Sequence, residues 1–177
     1  MYCPSIDSFL LAKSVKAYYG NRALEIGIGS GIMLKSLCEN FKIVVGTDIS
    51  FPTIKQCKEI EPNCAFIVCC DAASVFRDKQ FDLIVFNPPY LPNEEYSNAD
   101  KDFVIDGGPT GIEVTLHFLE SSVPRLNVNG RLLITISSLS NVSKLDEMLQ
   151  KLHLKRRTVD KSDLFFERLS VIELSFT

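Results

Sequence analysis

The chain has 177 residues, of which 46% are hydrophobic, and a formal net charge of −3 at pH 7. This apolar content suffices for one core of ordinary size, so we expect a single domain over residues 1–177. The acidic balance disfavours a nucleic-acid partner, because affinity for a phosphate backbone depends on positive charge. With neither a run of about 18 apolar residues nor a basic leader, we expect no membrane insertion and a cytoplasmic location.

The cysteines give no sign of a metal site. There are six of them and two histidines, and no two cysteines have the CxxC spacing of zinc ligands. We therefore predict no metal site, and buried free thiols rather than a disulfide framework.

The first half of the chain alternates between helix-like and strand-like segments. Residues 1–20 are predicted to form a helical segment, with a helix from Ile6 to near Gly20. Four apolar, strand-like runs follow, RALEIG, FKIVVGTD, CAFIVCC and FDLIVFN, separated by the helix-like runs IMLKSLCEN, FPTIKQCKEI and AASVFRDK. This alternation is typical of βαβ units, and it predicts a parallel sheet with helices on both faces.

The second half begins with a polar stretch from Leu91 to Asp106 that is too long for a simple connector, so we interpret it as a functional loop that governs substrate choice. A helix from about Ile112 to Ser122, a strand at GRLLITISS and a helix from about Val142 to Leu152 are predicted next. The last two strands are joined by only a few residues around KSDLFFE, so they must pair antiparallel. The sequence thus predicts an α/β fold with seven strands, mostly parallel, and one antiparallel strand.

A glycine-rich turn follows the first predicted strand. The segment LEIGIGSG places Gly27, Gly29 and Gly31 where the strand turns into a helix, and glycine there lets a ligand approach the backbone closely. Tight packing alone is the alternative explanation. Asp48 ends the second strand, 21 residues after Gly27, at the spacing where a carboxylate accepts hydrogen bonds from ribose hydroxyls.

The cofactor that fits these residues carries positive charge. The sixth place of a dinucleotide-binding pattern is Ile32 instead of glycine, and Glu25 precedes the turn. A carboxylate there suits the sulfonium and ammonium groups of S-adenosylmethionine better than a pyrophosphate. Asp71 follows the third strand, where it either accepts from the adenine amine or caps a helix. We expect Ile49 and Ala72 to line the same site.

The fourth strand ends on the sequence Asn87, Pro88, Pro89, Tyr90. Strands of an open parallel sheet deliver their carboxyl ends to one ligand crevice, so this segment should meet the glycine turn. The prolines restrict the backbone, and the Asn87 side chain and the Pro88 carbonyl can accept both hydrogens of a substrate –NH2 group. Tyr90 can lie against a planar substrate group. A proline-rich turn without chemistry is the alternative.

These motifs resemble the class I S-adenosylmethionine-dependent methyltransferases, and among them the HemK-like protein-glutamine N5-methyltransferases that modify translation release factors. YCPSIDSFLL, with Tyr2, Pro4 and Asp7, is similar to the opening of the short archaeal and eukaryotic branch. LEIGIGSG resembles its cofactor loop, FNPPY its catalytic motif and DGGPTG, from Asp106 to Gly111, its G-G-x-x-G segment.

The resemblance implies a Rossmann-like fold, S-adenosylmethionine as cofactor and a substrate glutamine in the GGQ loop of a release factor. It implies catalytic roles for Asn87, Pro88, Pro89 and Tyr90, with substrate binding by Asn87, Pro88 and Tyr90. It also implies that Asn87 contacts the cofactor and that a first segment, residues 1–20, closes over it. In this branch a small zinc-binding activator subunit covers the edge of the third strand, here Ala65 to Cys69; burial by flanking helices is the alternative.

Two other functions stay open on the sequence alone. The Asn-Pro-Pro-Tyr motif is also used on exocyclic amines of DNA or RNA bases, although the acidic balance makes a nucleic acid an unfavourable substrate. A catalytically silent module that binds S-adenosylmethionine is the third possibility. His117 is interpreted as a packed helix residue instead of a catalytic one.

Overall fold

One seven-stranded sheet forms the centre of the molecule. The computed structural model of the chain describes residues 6–58, 64–92 and 107–177, and the structural statements below concern these residues. The helices are α1 (Ile6–Val15), α2 (Ile32–Cys38), α3 (Phe51–Cys57), α4 (Glu113–Ser122) and α5 (Val142–Lys151), with a short 3₁₀ turn at Val123–Arg125. The strands are β1 (Gly20–Ile26), β2 (Phe41–Asp48), β3 (Ala65–Cys69), β4 (Phe81–Phe86), β5 (Leu126–Ser137), β6 (Leu154–Asp163) and β7 (Arg168–Phe176).

The strand order is β3-β2-β1-β4-β5-β7-β6. The strands from β3 to β5 pair parallel, and β7 pairs antiparallel with both β5 and β6. The prediction of seven strands with one reversed strand is confirmed, and β3 lies at an edge. The carboxyl ends of β1, β2 and β4, which carry the predicted site residues, therefore share one rim of the sheet.

Alternation along the strands assigns side chains to two cores. In β4, Leu83 and Val85 face the core shared with α1, α2 and α3, whereas Ile84 and Phe86 face the core shared with α4 and α5. Because successive side chains of a strand point to opposite faces, the next residue, Asn87, is directed to the α1 side. Ala23 of β1 also faces this side, and Glu25 follows it in the same register.

One predicted helix boundary and one predicted helix are wrong. The first helix ends at Val15 instead of near Gly20, which begins β1. The predicted helix AASVFRDK is a series of turns in which Ala72 has a positive φ of 45°. Only a short connection joins β3 to β4, and it is held against α4 by a hydrogen bond from the Ala73 amide to the Ser121 hydroxyl, so it turns instead of winding into a helix.

The cysteine prediction is also wrong in one respect. Cys38, at the end of α2, forms a disulfide bond with Cys64, just before β3. Their separation of 26 residues in the chain gives no local pattern, and the pairing of β2 with β3 brings the two together. Cys57, Cys69 and Cys70 are free thiols, and Cys3 lies outside the described residues.

None of the helices in the described part of the chain has the length and apolar character needed to span a membrane.

Candidate active site

A cavity of about 680 Å³ opens at the carboxyl ends of β1, β2 and β4. Its walls come from the start of α1, the glycine turn, the end of β2 and the Asn-Pro-Pro-Tyr segment. The structure thus brings most of the predicted site residues to one cavity, namely Glu25, Gly27, Gly29, Asp48, Ile49, Asn87, Pro88, Pro89 and Tyr90.

The glycine turn has a backbone that favours glycine. Gly27, Gly29 and Gly31 all have positive φ, with values of 74°, 46° and 73°. The turn is fixed on β2 by the hydrogen bond from the Gly27 amide to the Thr47 carbonyl, at 2.7 Å. A Cβ atom on Gly27 would meet no atom of the described residues within 4 Å, so the position is open toward the cavity, and a ligand can approach the backbone there.

Two carboxylates lie on either side of the turn. Asp48 is fixed by the amide of Ser50, which donates to Oδ1 at 2.8 Å, and by the amide of Gly29, which donates to Oδ2 at 3.4 Å. The side chain of Glu25 is 94% buried, and its Oε2 atom accepts no hydrogen bond from the described residues. Burial, with a further contribution from the charge of Asp48, raises the pKa of Glu25 well above its usual range. The site is therefore ready to accept a cation or a hydrogen-bond donor.

The Asn87 amide has a defined orientation. Its Nδ2 atom donates to Oδ2 of Asp7 at 3.0 Å, and the Tyr90 hydroxyl donates to the same oxygen at 3.3 Å. A carboxylate can only accept hydrogen bonds, so it selects the –NH2 side of the amide. The carbonyl side, Oδ1, is buried and has no partner among the described residues.

The Asp7 carboxylate itself is buried at the start of α1 and is fixed by the backbone amide of Ser8, which donates to its Oδ1 atom at 2.7 Å. Sequence reasoning identified Asp7 only through the family's opening motif. Its contact with Asn87 joins residues 80 positions apart, and no spacing rule could have found it. Tyr2 and Pro4 of that motif lie outside the described residues.

The G-G-x-x-G segment packs against the backbone of Tyr90 and Leu91, at the end of the Asn-Pro-Pro-Tyr segment. The Gly107 amide donates to the Leu91 carbonyl at 2.9 Å, and a Cβ atom on Gly111 would lie 2.4 Å from the Tyr90 carbonyl oxygen. The Ser140 hydroxyl also donates to that oxygen, at 3.0 Å. Only glycine allows this close backbone contact. Asp106 and most of the predicted functional loop, residues 93–106, lie outside the described residues.

Glu113 stabilises the G-G-x-x-G segment through hydrogen bonds. It accepts from the amide and the hydroxyl of Thr110, at 3.0 and 2.6 Å, and from Lys144 at 3.1 Å. Burial acts to raise the pKa of Glu113, but these hydrogen bonds prevail and lower it to about 2. The carboxylate is therefore a charged anchor at neutral pH.

Three predicted cofactor residues lie outside the cavity wall: Gly31, Asp71 and Ala72. Asp71 follows β3, and its carboxylate lies within hydrogen-bond distance, 2.8 Å, of Nε2 of His117 on α4. The interpretation of His117 as a packed helix residue is wrong, because its side chain is exposed and meets this polar partner at the surface. Ser8, Met33 and Phe118 do line the cavity, although sequence reasoning missed them. They have no motif of their own, and only the fold places them there.

Comparison with known proteins gives a consistent result. Residues 24–88 match a family model described as a methyltransferase domain. A Methanocaldococcus jannaschii protein, whose name assigns it to the protein N5-glutamine methyltransferases, is 31% identical over 97% of this chain and 90% of its own length. A release factor glutamine methyltransferase of Bradyrhizobium diazoefficiens is 29% identical over 70% of this chain, which spans 46% of that protein.

Among solved structures, the E. cuniculi Mtq2-Trm112 complex, described as responsible for methylation of the translation termination factor eRF1, contains a chain with the same fold. The TM-score is 0.80 and the identity 20%, covering 99% of this chain and 98% of that one. An N-methyltransferase, NodS of Bradyrhizobium japonicum, in complex with S-adenosyl-L-homocysteine, superposes with a TM-score of 0.64 at 16% identity, covering 95% of this chain and 84% of that one.

Proposed function

The chain belongs to the protein N5-glutamine methyltransferases, and we propose that it methylates the side-chain amide of a glutamine in the GGQ loop of a translation release factor. One observation carries this proposal: the buried Oδ1 atom of Asn87 has no partner among the described residues, while its Nδ2 atom is bound to Asp7. A lone, fixed acceptor at the rim of the cavity is suited to a substrate –NH2 group.

The cavity fits S-adenosylmethionine as methyl donor. This cofactor, when bound, supplies an electrophilic methyl group on a positively charged sulfur. We propose that Glu25, with its unpartnered Oε2 atom, and the open backbone at Gly27 hold its amino-acid end. Asp48, already fixed by two amides, is proposed to accept from the ribose hydroxyls. Gly29 and Ile49 line the same cavity. Gly31 ends the glycine turn beside it, and we propose that Asp71 and Ala72, beyond the end of β3, contact the adenine.

Asn87 and Pro88 are proposed to accept the two hydrogens of the substrate carboxamide. The nitrogen of an amide is a poor nucleophile because its lone pair is delocalised, so fixing its direction is a large part of what a catalyst can contribute. Pro89 stiffens the segment, and Tyr90, held by Asp7, is placed to contact the substrate group. The methylated nitrogen is acidic and loses its proton afterwards, so no general base is needed before attack.

The choice of a protein substrate rests on two supports. The Methanocaldococcus jannaschii relative, which matches nearly the full length of this chain, is named as a glutamine methyltransferase. Relatives that match a shorter part of the chain are named as release factor glutamine methyltransferases. The net charge of −3 provides no overall attraction to a phosphate backbone. We place the reaction in the cytoplasm, where translation ends.

We also propose a small zinc-binding activator subunit on the edge of β3. Among the described strands this one pairs with β2 alone, and Phe66 is 59% exposed, which leaves an apolar edge able to accept a further strand. The E. cuniculi protein with the same fold was solved as a complex with Trm112.

A methyl-transfer assay with labelled cofactor tests the function. The chain is offered a GGQ-containing release factor and total RNA, separately and together. We expect label in the release factor at the GGQ glutamine, and its loss by a factor of about 10² or more in Asn87→Ala. Asn129→Ala, an exposed asparagine on β5 away from the cavity, is the matched control and should retain activity. Label in RNA alone would overturn the proposed substrate.

The activator is tested by size-exclusion chromatography and activity, with and without a candidate zinc-binding subunit. We expect a complex and a gain in activity, both weakened by Phe66→Asp. A fully active chain that gains nothing on mixing would refute this partner.

A further inference from the structure

Two adjacent aromatic side chains project into solvent at the turn between β6 and β7. Phe165 is 93% exposed and Phe166 85% exposed. Their ring centroids lie 4.7 Å apart in an edge-to-face arrangement. Neither belongs to the two described hydrophobic cores. Exposed aromatic surface of this kind gives nothing to folding and is typical of interaction sites; we name this pair the aromatic tip.

The aromatic tip is held by hydrogen bonds on both sides. The Leu164 amide donates to the Glu167 carbonyl at 2.8 Å, which closes the turn. The Ser137 hydroxyl donates to the Glu167 carboxylate at 2.6 Å, and the Arg168 amide donates to the Ser138 hydroxyl at 2.9 Å. The two rings are therefore carried by a turn that is fixed to the end of β5, and binding would cost little ordering of the backbone.

The aromatic tip lies on the same rim as the Asn-Pro-Pro-Tyr segment. β6 is antiparallel to β7, which is antiparallel to β5, so β6 runs in the direction of β4 and ends at the same side of the sheet. With neighbouring strands about 4.8 Å apart, the three steps from β4 to β6 amount to about 15 Å. The tip is held by the loop from Ser137 to Ser140. In the same loop, the Ser140 hydroxyl donates to the Tyr90 carbonyl. The tip and the substrate side of the cavity thus lie on the same rim of the sheet and are connected through this loop.

The charges around the tip favour an apolar protein surface as its partner. The Asp163 carboxylate is paired with the Arg168 guanidinium, and the Glu167 carboxylate accepts from Ser137. The Asp163–Arg168 pair cancels in charge, and the Glu167 carboxylate keeps its charge but is bound to Ser137 of β5, so the tip itself offers two uncharged rings. A convex aromatic pair cannot enclose a small molecule, but such residues are the usual centres of binding energy in protein interfaces.

We propose that the aromatic tip docks the protein substrate, by contacting an apolar surface of the release factor beside its glutamine loop. This inference rests on the proposed function and adds to it a recognition site outside the cavity. It makes the whole folded substrate, instead of the glutamine loop alone, the ligand of this enzyme.

The test compares Phe165→Ser/Phe166→Ser with the unaltered chain on a full-length GGQ-containing release factor, with the zinc-binding subunit present in both. We expect KM for the release factor to rise at least about tenfold, kcat at saturation to change less than twofold, and the affinity for S-adenosylmethionine to stay the same. The matched control is Tyr19→Ser, because Tyr19 is 85% exposed just before β1, on the opposite rim. The control should match the unaltered chain.

Equal kcat/KM for the double variant and the unaltered chain would overturn the inference and leave the proposed function in place. Absence of transfer by the unaltered chain would remove the proposed function, and the inference with it. A dimer of the unaltered chain that the double variant dissociates, with kcat/KM unchanged, would instead assign the tip to a contact between copies. Both residues are exposed, so the thermal midpoint should not change, and a fall would show that the effect is one of folding.

Discussion

Asn87 and Asp7 form a pair in which the charge of one side chain decides the direction of the other. Asn87 presents a donor side and an acceptor side, which are close to equal in size. Asp7 accepts the donor side at 3.0 Å and leaves the acceptor side buried toward the cavity. An apolar or amide neighbour would not make this choice. Asp7 is therefore a positioning residue for the proposed acceptor.

The orientation can be tested by exchanging the two groups. Asn87→Asp places two carboxylates about 3 Å apart, and their repulsion should lower activity by about 10². Asp7→Asn alone should also lower activity, since an amide at position 7 no longer selects the –NH2 side of Asn87. In Asp7→Asn/Asn87→Asp, the new amide can donate to the new carboxylate, whose other oxygen then faces the substrate. We expect kcat of the double variant to exceed that of Asn87→Asp at least tenfold.

The cofactor affinity of all three variants is measured by calorimetry, and kcat is compared at saturating cofactor so that a change in this affinity does not enter the comparison. A double variant no more active than Asn87→Asp would show that Asp7 does not act by orienting the amide.

Glu25 should release a proton when S-adenosylmethionine binds. Its pKa is raised by burial and by Asp48 in the free protein, and a bound cation favours the ionised form, so binding lowers this pKa. Between the two pKa values, the free protein holds a proton that the complex does not. Calorimetry in buffers of different ionisation enthalpy measures this release. Glu25→Gln should bind more weakly and release no proton from this site; an unchanged proton count would contradict the assignment.

The sequence predicted most of the cavity at the residue scale. Glu25, Gly27, Asp48 and Asn87 could be found because each occupies a fixed position relative to a strand end. Asp7 acts through a contact across 80 residues, and Phe118 lines the cavity from α4. Such contacts depend on packing between elements and leave no local pattern.

Gly111 and Gly27 illustrate two different requirements for glycine in turns that connect elements. Their φ angles are similar, at 70° and 74°, but a Cβ atom on Gly111 would meet the Tyr90 carbonyl oxygen, whereas one on Gly27 meets nothing within 4 Å in the part of the chain that the structure describes. The first is needed for contact between two segments of the chain, and the second leaves space for a ligand.

Alanine at Gly111 should therefore mainly lower the stability of the fold, and alanine at Gly27 should mainly lower the affinity for the cofactor. Both substitutions are strained by positive φ, and Gly111→Ala should lose about 1–3 kcal/mol more stability because the backbone must shift. Gly27→Ala should keep more stability but lose more cofactor affinity. Urea unfolding and calorimetry measure the two quantities. Equal losses of stability would show that the Tyr90 segment moves away without cost.

At the element scale, the sequence predicted helices where apolar periodicity and length agreed, as in α4 and α5. It failed at AASVFRDK, which has residues of ordinary helix propensity. There the connection between β3 and β4 is short, and Ala73 is buried and bound to Ser121. Tertiary contacts overrode the local preference.

The disulfide should contribute to the stability of the whole molecule. It joins Cys38 and Cys64, 26 residues apart, and a loop of this length predicts about 3 kcal/mol from the reduced freedom of the unfolded chain. Cys38→Ser should lower the free energy of unfolding in urea by about this amount and make it insensitive to reductant. Cys69→Ser, at an exposed free thiol, should change it little. Equal stability of the unaltered chain with and without reductant would contradict the prediction.

The overall topology followed from the sequence because parallel and antiparallel connections have different lengths. The short link around KSDLFFE left no room for a crossover, and the reversed strand was predicted from it. The strand order at the edges and the disulfide depend on which strands pair in space. For the strand order the sequence offered only the family resemblance, and for the disulfide it offered no signal.

The position of β7 has a consequence for how the molecule is made. It is synthesised after β6, yet it lies between β5 and β6 and is the one strand within residues 6–58, 64–92 and 107–177 that pairs with β6. While the chain emerges from the ribosome, β6 has nothing to pair with and β5 keeps one side open until β7 has followed. A nascent chain stalled before Arg168 would thus expose an unpaired β6 and one open edge of β5. A premature stop there should yield an aggregating product.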